Sequence, residues 1–211
     1  LVLGSDYGIV EFHLVDSQVR TIHNNPIEID HKKYRSNDGC FHKGFYYLGY
    51  MDRTNPGNNK GLVYSFANSR KPFRLDSEIS IPNGFIPISE SKLLICDSLT
   101  SEIWEFSLNS YGEITDKSLW SVLKSDISPD GGCKVGEYVF IALWDGSSIG
   151  VFDLSGNFLE QIPLNVPRPT NCKFDSQSSK LVITSAMIEL SEKEMKAFPD
   201  SGSTLIYNLT L

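Results

Sequence analysis

An all-β fold of the propeller type is predicted by three features of the 211-residue chain. First, turn-like polar stretches recur at nearly constant spacing, each opening onto strand-like sequence. They are Arg35-Ser36-Asn37-Asp38-Gly39, Ile81-Pro82-Asn83-Gly84 and Ile127-Ser128-Pro129-Asp130-Gly131-Gly132-Cys133. Their middle residues, Asn37, Asn83 and Asp130, stand 46 and 47 residues apart, and a further step of 41 reaches Asn171 in Pro169-Thr170-Asn171-Cys172. Second, the sequence between them breaks into short alternating apolar segments bounded by Gly, Asn, Asp and Ser. Third, one unit carries four such segments in a row, the pattern of a single propeller blade.

Taken in order, Leu1 to Leu3, Gly8 to Val15 and Val19 to Ile22 alternate around Ser5-Asp6-Tyr7-Gly8, which predicts hairpins. Lys32 to Gly39 reads as a loop, Phe45 to Gly49 as an inner strand, and Arg53 to Lys60, rich in Asn, Pro and Gly, as a second loop. Gly61 to Ala67 and Phe73 to Leu75 read as outer strands. The next unit opens at Asn83 and continues through Lys92 to Cys96 and Glu102 to Leu108. The clearest unit follows a predicted Pro-Asp-Gly turn: Cys133 to Val135, Tyr138 to Leu143, Ser148 to Leu154 and Phe158 to Leu164. In the last, Asn171 to Asp175, Lys180 to Ser185 and Ser203 to Thr210 are strand-like. Glu189 to Phe198 is helix-capable there, with Ser191 and Glu194 spaced as a capping box. These units amount to about four and a half blades in one domain spanning residues 1–211. A closed ring of six would need roughly 276 residues, so the chain is expected to be N-terminally incomplete.

Composition sets bounds on function. The apolar fraction of 40% and charged fraction of 21% are those of a globular domain. A net charge of −7 without a Lys/Arg cluster argues against a nucleic-acid partner. No apolar run reaches the ~18 residues of a membrane span. Cys40, Cys96, Cys133 and Cys172 lie far apart with no C-x-x-C pair, so free thiols in a reducing, cytoplasmic setting are expected.

Asn37, Asn83 and Asp130 hold equivalent places in successive units, so they are expected to converge where propeller loops meet. Two amide oxygens and a carboxylate suit one hard divalent cation, Ca²⁺, Mg²⁺ or Mn²⁺, with Zn²⁺ tolerable. The competing reading is that Asn-Gly and Asp-Gly are ordinary turn residues, selected for positive φ. Ser128 and Ser185 have no His-Asp partners in sequence, which argues against a serine nucleophile. His13, His23, His31 and His42 show no ligand spacing. Trp104, Trp120 and Trp144 are expected in blade cores, Trp144 being the exception because it ends a strand beside Asp145-Gly146. Arg35 either binds substrate or pairs with Asp38. Asn208-Leu209-Thr210 matches a glycosylation acceptor inside a predicted strand.

In this order, Arg35-Ser36-Asn37-Asp38-Gly39, Tyr47-Leu48-Gly49-Tyr50-Met51, Pro82-Asn83-Gly84, Cys96-Asp97-Ser98, Pro129-Asp130-Gly131, Ala142-Leu143-Trp144, Pro169-Thr170-Asn171-Cys172 and Val182-Ile183-Thr184-Ser185-Ala186 resemble the regucalcin/gluconolactonase family, which includes luciferin-regenerating enzyme. The resemblance runs from about Gly8 to Leu205. It implies a six-bladed propeller whose central divalent metal serves lactone hydrolysis. It further implies Asn83 and Asp130 as metal ligands, Asp130 as general base, and Arg35 and Asn37 as holders of the substrate's oxygens. The family's remaining ligand, a first-blade Glu, would fall before Leu1, and no residue here is assigned to it. Asp52-Arg53-Thr54 stands where some members carry an acidic substrate contact. The expected function is a metal-dependent hydrolase of small cyclic esters, most simply sugar lactones. The alternatives are a non-catalytic binding propeller, or a related metal-dependent esterase or dehydratase.

Overall fold

The computed structural model describes residues 1–26, 29–67 and 70–209. Alternating side chains and Gly/Asn/Asp turns resolve into strands that pair with their sequence neighbours, all antiparallel, as five successive sheets. The first sheet holds β1 (Val2–Ser5), β2 (Gly8–Phe12) and β3 (Val19–Asn24). The second holds β4 (Tyr34–His42), β5 (Phe45–Asp52), β6 (Leu62–Ala67) and β7 (Arg70–Asp76). The third holds β8 (Pro82–Ser89), β9 (Lys92–Asp97), β10 (Glu102–Leu108) and β11 (Ile114–Val122). The fourth holds β12 (Ser128–Val135), β13 (Tyr138–Trp144), β14 (Ser148–Asp153) and β15 (Phe158–Pro163). The fifth holds β16 (Pro169–Asp175), β17 (Lys180–Ser185) and, after α1 (Glu192–Ala197), β18 (Thr204–Asn208). Eighteen strands match four and a half four-stranded blades, spread over five sheets because the two end sheets have three strands each. This is an all-β, five-bladed propeller arrangement among the described residues; a sixth blade is not among them.

Each of the three middle sheets packs both faces, because alternate residues of its second strand point to opposite neighbours. Leu48 and Tyr50 of β5 pack with Ile9 of the first sheet, whereas Tyr47 packs with Phe85 and Leu93 of the third. Leu94 and Cys96 of β9 meet Val139, Ile141 and Leu143 of β13. The intervening Phe140 and Ala142 face Cys172, Leu181 and Ile183 of the fifth sheet. β12 lies between β8 and β16, and β4 lies beside β8. The first strands of these sheets therefore line the middle of the array, while β7, β11 and β15 carry the exposed outer edges.

Three expectations change. Lys32 to Gly39 is not a loop: residues 34–39 belong to β4, which makes β4, not the Phe45–Gly49 segment, the innermost strand of its sheet. Pro129-Asp130-Gly131 is likewise inside β12 instead of preceding it. β11 was not expected, since Ile114–Val122 is only partly covered and alternates weakly. The capping box is present: the Glu194 amide donates to Ser191 Oγ, and the Ser191 amide donates to Glu194 Oε2 at 2.8 Å. All four cysteines are free, three of them buried and Cys40 half-buried. Asn208 ends β18, and Thr210 of the glycosylation motif lies outside the described residues. No helix among the described residues is long and apolar enough to cross a membrane.

Candidate active site

The recurrent Asn/Asp-Gly stretches are β-bulges, all at the same place in their sheets. Asn37-Asp38 oppose a single residue of β5 between the Ser36–Tyr50 and Gly39–Leu48 pairs. Gly84-Phe85 do so between Asn83–Cys96 and Ile86–Leu94, and Asp130-Gly131 between Pro129–Leu143 and Gly132–Ile141. In β16 the shift falls between Pro169 and Asn171. An extra residue bends the strand and re-aims nearby side chains; Asn37 and Asp130 lie within their bulges, whereas Asn83 pairs with Cys96 immediately before its own. Gly84 shows why glycine is needed: it sits at φ +53°, and a Cβ there would lie 2.4 Å from the Asp130 carbonyl oxygen of the next inner strand.

Hydrogen bonds clip each bulge to the next. Asn37 Nδ2 donates to the Pro82 carbonyl at 3.0 Å. Asn83 Nδ2 donates to Ser98 Oγ at 3.1 Å, and Ser98 Oγ donates to the Pro129 carbonyl at 2.7 Å. The result is one cavity of about 310 Å³ lined by Arg35, Asn37, Asn83 and Asp130 together with Met51, Ile81, Ser98, Leu99, Ser128 and Trp144. All four residues singled out from the sequence line it. Ser128 also lines it, and no histidine does, so no Ser-His pair is assembled.

Asp130 has its pKa raised to about 7, first by burial and then by the neighbouring Asp38 charge; the Asn83 side chain and the Gly131 amide partly offset this. Asp38 points behind the cavity, where its Oδ2 accepts from the Phe85 amide at 3.4 Å and burial raises its pKa too. Arg35 does not pair with Asp38. Its Nη1 donates to Asn37 Oδ1 at 2.9 Å and to the Ser36 carbonyl at 3.1 Å, and it forms no salt bridge among the described residues. Asp6, whose charge acts on Arg35, is held by Arg53 and by the Ser36 amide and hydroxyl at 2.7 and 3.0 Å. Arg35 is thus a half-buried guanidinium facing the cavity with donor capacity to spare. Asp52 is buried and occupied, accepting from the Thr54 and Asn55 amides at 2.8 Å each.

Trp104 and Trp120 pack against blade cores, as expected, and Trp144 lines the cavity. Sequence reasoning missed Met51, Ile81 and Leu99, which carry no chemical signature, and Asp38, which stood beside Asn37 but was weighed only as a partner for Arg35. Asn171, the fourth member of the spaced series, is not among the cavity-lining residues; its Oδ1 is buried without a hydrogen-bond partner against Gly131. A Cβ on Gly131 would lie 2.3 Å from the Asn171 side chain, so the residue after Asp130 must be glycine for Asn171 to reach this position.

Donor chemistry around Asp130 suits a hard cation: a carboxylate, the Asn83 amide beside it and an orphaned amide oxygen one strand away. It is a lean set, because no three His, Cys, Asp or Glu side chains cluster among the described residues.

Polar groups gathered at one end of a propeller's inner strands make this cavity the candidate site. The chain belongs to the SMP-30/Gluconolactonase/LRE-like family, whose profile matches residues 1–187. No curated protein matches it. Among solved structures it is similar to regucalcin of Agrobacterium tumefaciens, described as a calcium-binding protein, with TM-score 0.89 and 22% identity. That match covers 99% of this chain and 72% of regucalcin. A luciferin-regenerating enzyme matches with TM-score 0.76 and 22% identity, over 87% of this chain and 64% of that one. A gluconolactonase of Xanthomonas campestris matches with TM-score 0.68 and 21% identity, again over 87% and 64%. The chain therefore spans about two thirds of the length of these proteins.

Proposed function

We propose that the protein is a divalent-metal-dependent hydrolase of small cyclic esters, a sugar lactonase in kind. The observation that carries this reading is the convergence of Arg35, Asn37, Asn83 and Asp130 on one cavity, with Asp130 poised near neutrality. Membership of the family and the calcium-binding description of regucalcin support it.

Asn83 and Asp130 would hold the cation, which when bound supplies a Lewis acid and an acidified water. Asp130 is the general base, the carboxylate in the cavity that can accept a proton from water; its raised pKa belongs to the metal-free site, and a bound cation would favour its ionised form. Arg35 and Asn37 hold the substrate's oxygens. The guanidinium makes no direct salt bridge among the described residues, and Asn37 is fixed by Pro82 on one side and Arg35 on the other. Met51, Ile81 and Leu99 give the cavity an apolar rim. We infer that the partner is a small lactone or sugar acid, not a nucleic acid.

Calorimetric titration with Ca²⁺, Zn²⁺, Mg²⁺ and Mn²⁺ tests this on the wild type and on Asp130→Ala, followed by a pH-indicator lactonase assay with the tightest metal. Metal-dependent lactone opening that is lost in the variant is expected. Metal binding unaffected by Asp130→Ala, or no lactone opening with any cation, overturns it and leaves a non-catalytic binding propeller.

A further inference from the structure

The cavity has one aromatic wall, and it is built with more care than its neighbours. Trp144 ends β13 and lines the cavity, and the Arg168 guanidinium lies over its ring, 5.2 Å from the centroid. Although charged, the Arg168 side chain is only 14% exposed, so it needs partners. Its Nε donates to Asp145 Oδ1 at 2.6 Å, its Nη1 donates to the Ile188 carbonyl, and the Glu189 carboxylate lies 4.0 Å away. Its own carbonyl accepts from the Ala186 amide at 2.9 Å. One arginine thus ties the β13–β14 turn and the segment after β17 to a single indole. Asp145 and Glu189 sit at φ 61° and 59°, in the left-handed region that non-glycine residues avoid.

Besides this indole the cavity presents hydrogen-bonding groups, Arg35, Asn37, Asn83 and Asp130. A ligand that satisfies both is amphipathic across its own plane, with polar substituents on one side and a C–H face on the other. A hydroxylated, saturated six-membered ring has that form. We propose that Trp144 is a specificity-determining platform for such a ring, and that Arg168 is a positioning residue that acts through it. This rests on the lactonase reading and names the feature of the substrate that the site selects. Covering roughly 50 Å² of ring and indole surface at the usual transfer coefficient corresponds to about a tenfold change in affinity.

The experiment uses the full chain and D-glucono-δ-lactone with saturating metal, on Trp144→Ala, Trp144→Phe, Arg168→Met and Arg168→Lys. Trp144→Ala should raise KM about tenfold with kcat within twofold, and Trp144→Phe about threefold. Arg168→Met should raise KM and, without any ligand, shift tryptophan emission to the red as the indole gains freedom; Arg168→Lys should restore part of both. A purely structural role would lower melting temperature and kcat together and leave KM alone. KM unchanged within twofold in Trp144→Ala overturns the proposal. If the wild type opens no lactone, the lactonase reading fails and the same compound serves as an unreactive probe. It should then quench emission in the wild type and not in Trp144→Phe, and no quench in the wild type overturns the platform as well.

Discussion

Asp130 is a carboxylate that folding makes harder to ionise, and the sign of its effect on stability follows. Below pH ~4 it is protonated in both folded and unfolded chains and contributes nothing. From there to about 7 the unfolded chain releases the proton while the folded one keeps it, so stability falls as pH rises, and levels off above about 7. In metal-free protein, Asp130→Asn should therefore gain about 1–3 kcal/mol over wild type at pH 8 and nothing at pH 4, read by urea denaturation in chelator. A gain of equal size at both pH values would falsify the assignment of the raised pKa to Asp130. Arg35 makes the complementary case. It forms no ion pair among the described residues, so Arg35→Met should leave the melting temperature nearly unchanged. Losing a charge-assisted contact to substrate should raise KM by about 10- to 100-fold. Arg35→Lys should recover little, because an ammonium cannot reproduce the guanidinium fork that spans Asn37 and a ligand oxygen. Recovery to wild-type KM would show that charge alone matters there.

At the scale of elements, the bulge is the device that makes the site, and it explains what could be read from sequence. Asn37, Asn83 and Asp130 were legible because a bulge recurring once per blade leaves its polar residue and glycine at a fixed period. Their setting was not: Asn-Asp-Gly and Pro-Asp-Gly have the composition of turns, and only pairing partners distinguish a turn before a strand from a bulge within one. The apolar rim was invisible because Met51, Ile81 and Leu99 look like any strand-end hydrophobe. Blade cores were legible through alternation, whereas β11, only partly covered, carried too little of it. Two glycines separate backbone strain from close approach. Gly84 at φ +53° meets the Asp130 carbonyl, while Gly136 at φ +59° has nothing within 4 Å. Both alanine variants carry the left-handed penalty of about 1–2 kcal/mol. Gly84→Ala alone must also push β8 away from β12, so it should cost at least about 3 kcal/mol and abolish lactone opening. Gly136→Ala should keep full activity. Equal losses of stability in urea melts would mean that the β8–β12 approach is not what glycine serves at position 84.

Across the whole molecule, consecutive sheets share one apolar cluster each, so the geometry of the site depends on which interface is disturbed. Asn83 and Asp130 come from the third and fourth sheets, whose shared cluster includes the fully buried Ile141. Arg35 comes from the second sheet and is backed by the first through Asp6, which accepts from the Ser36 amide and hydroxyl. That interface is packed by Ile9, equally buried. Truncating either isoleucine to alanine removes a similar volume and should cost about 2–5 kcal/mol. Their functional effects should part. Ile141→Ala loosens the two strands that carry the cation ligands, so cation affinity should fall about tenfold or more with KM for lactone little changed at saturating metal. Ile9→Ala loosens the support behind Arg35, so KM should rise while cation affinity stays within about twofold, since β8 and β12 are two interfaces away. Calorimetry for the metal and initial rates for the lactone, on the same preparations, separate the two. If both variants weakened both ligands in proportion to lost stability, the sheets would be responding as one body, and the division of the site into a cation half and a substrate half would be wrong.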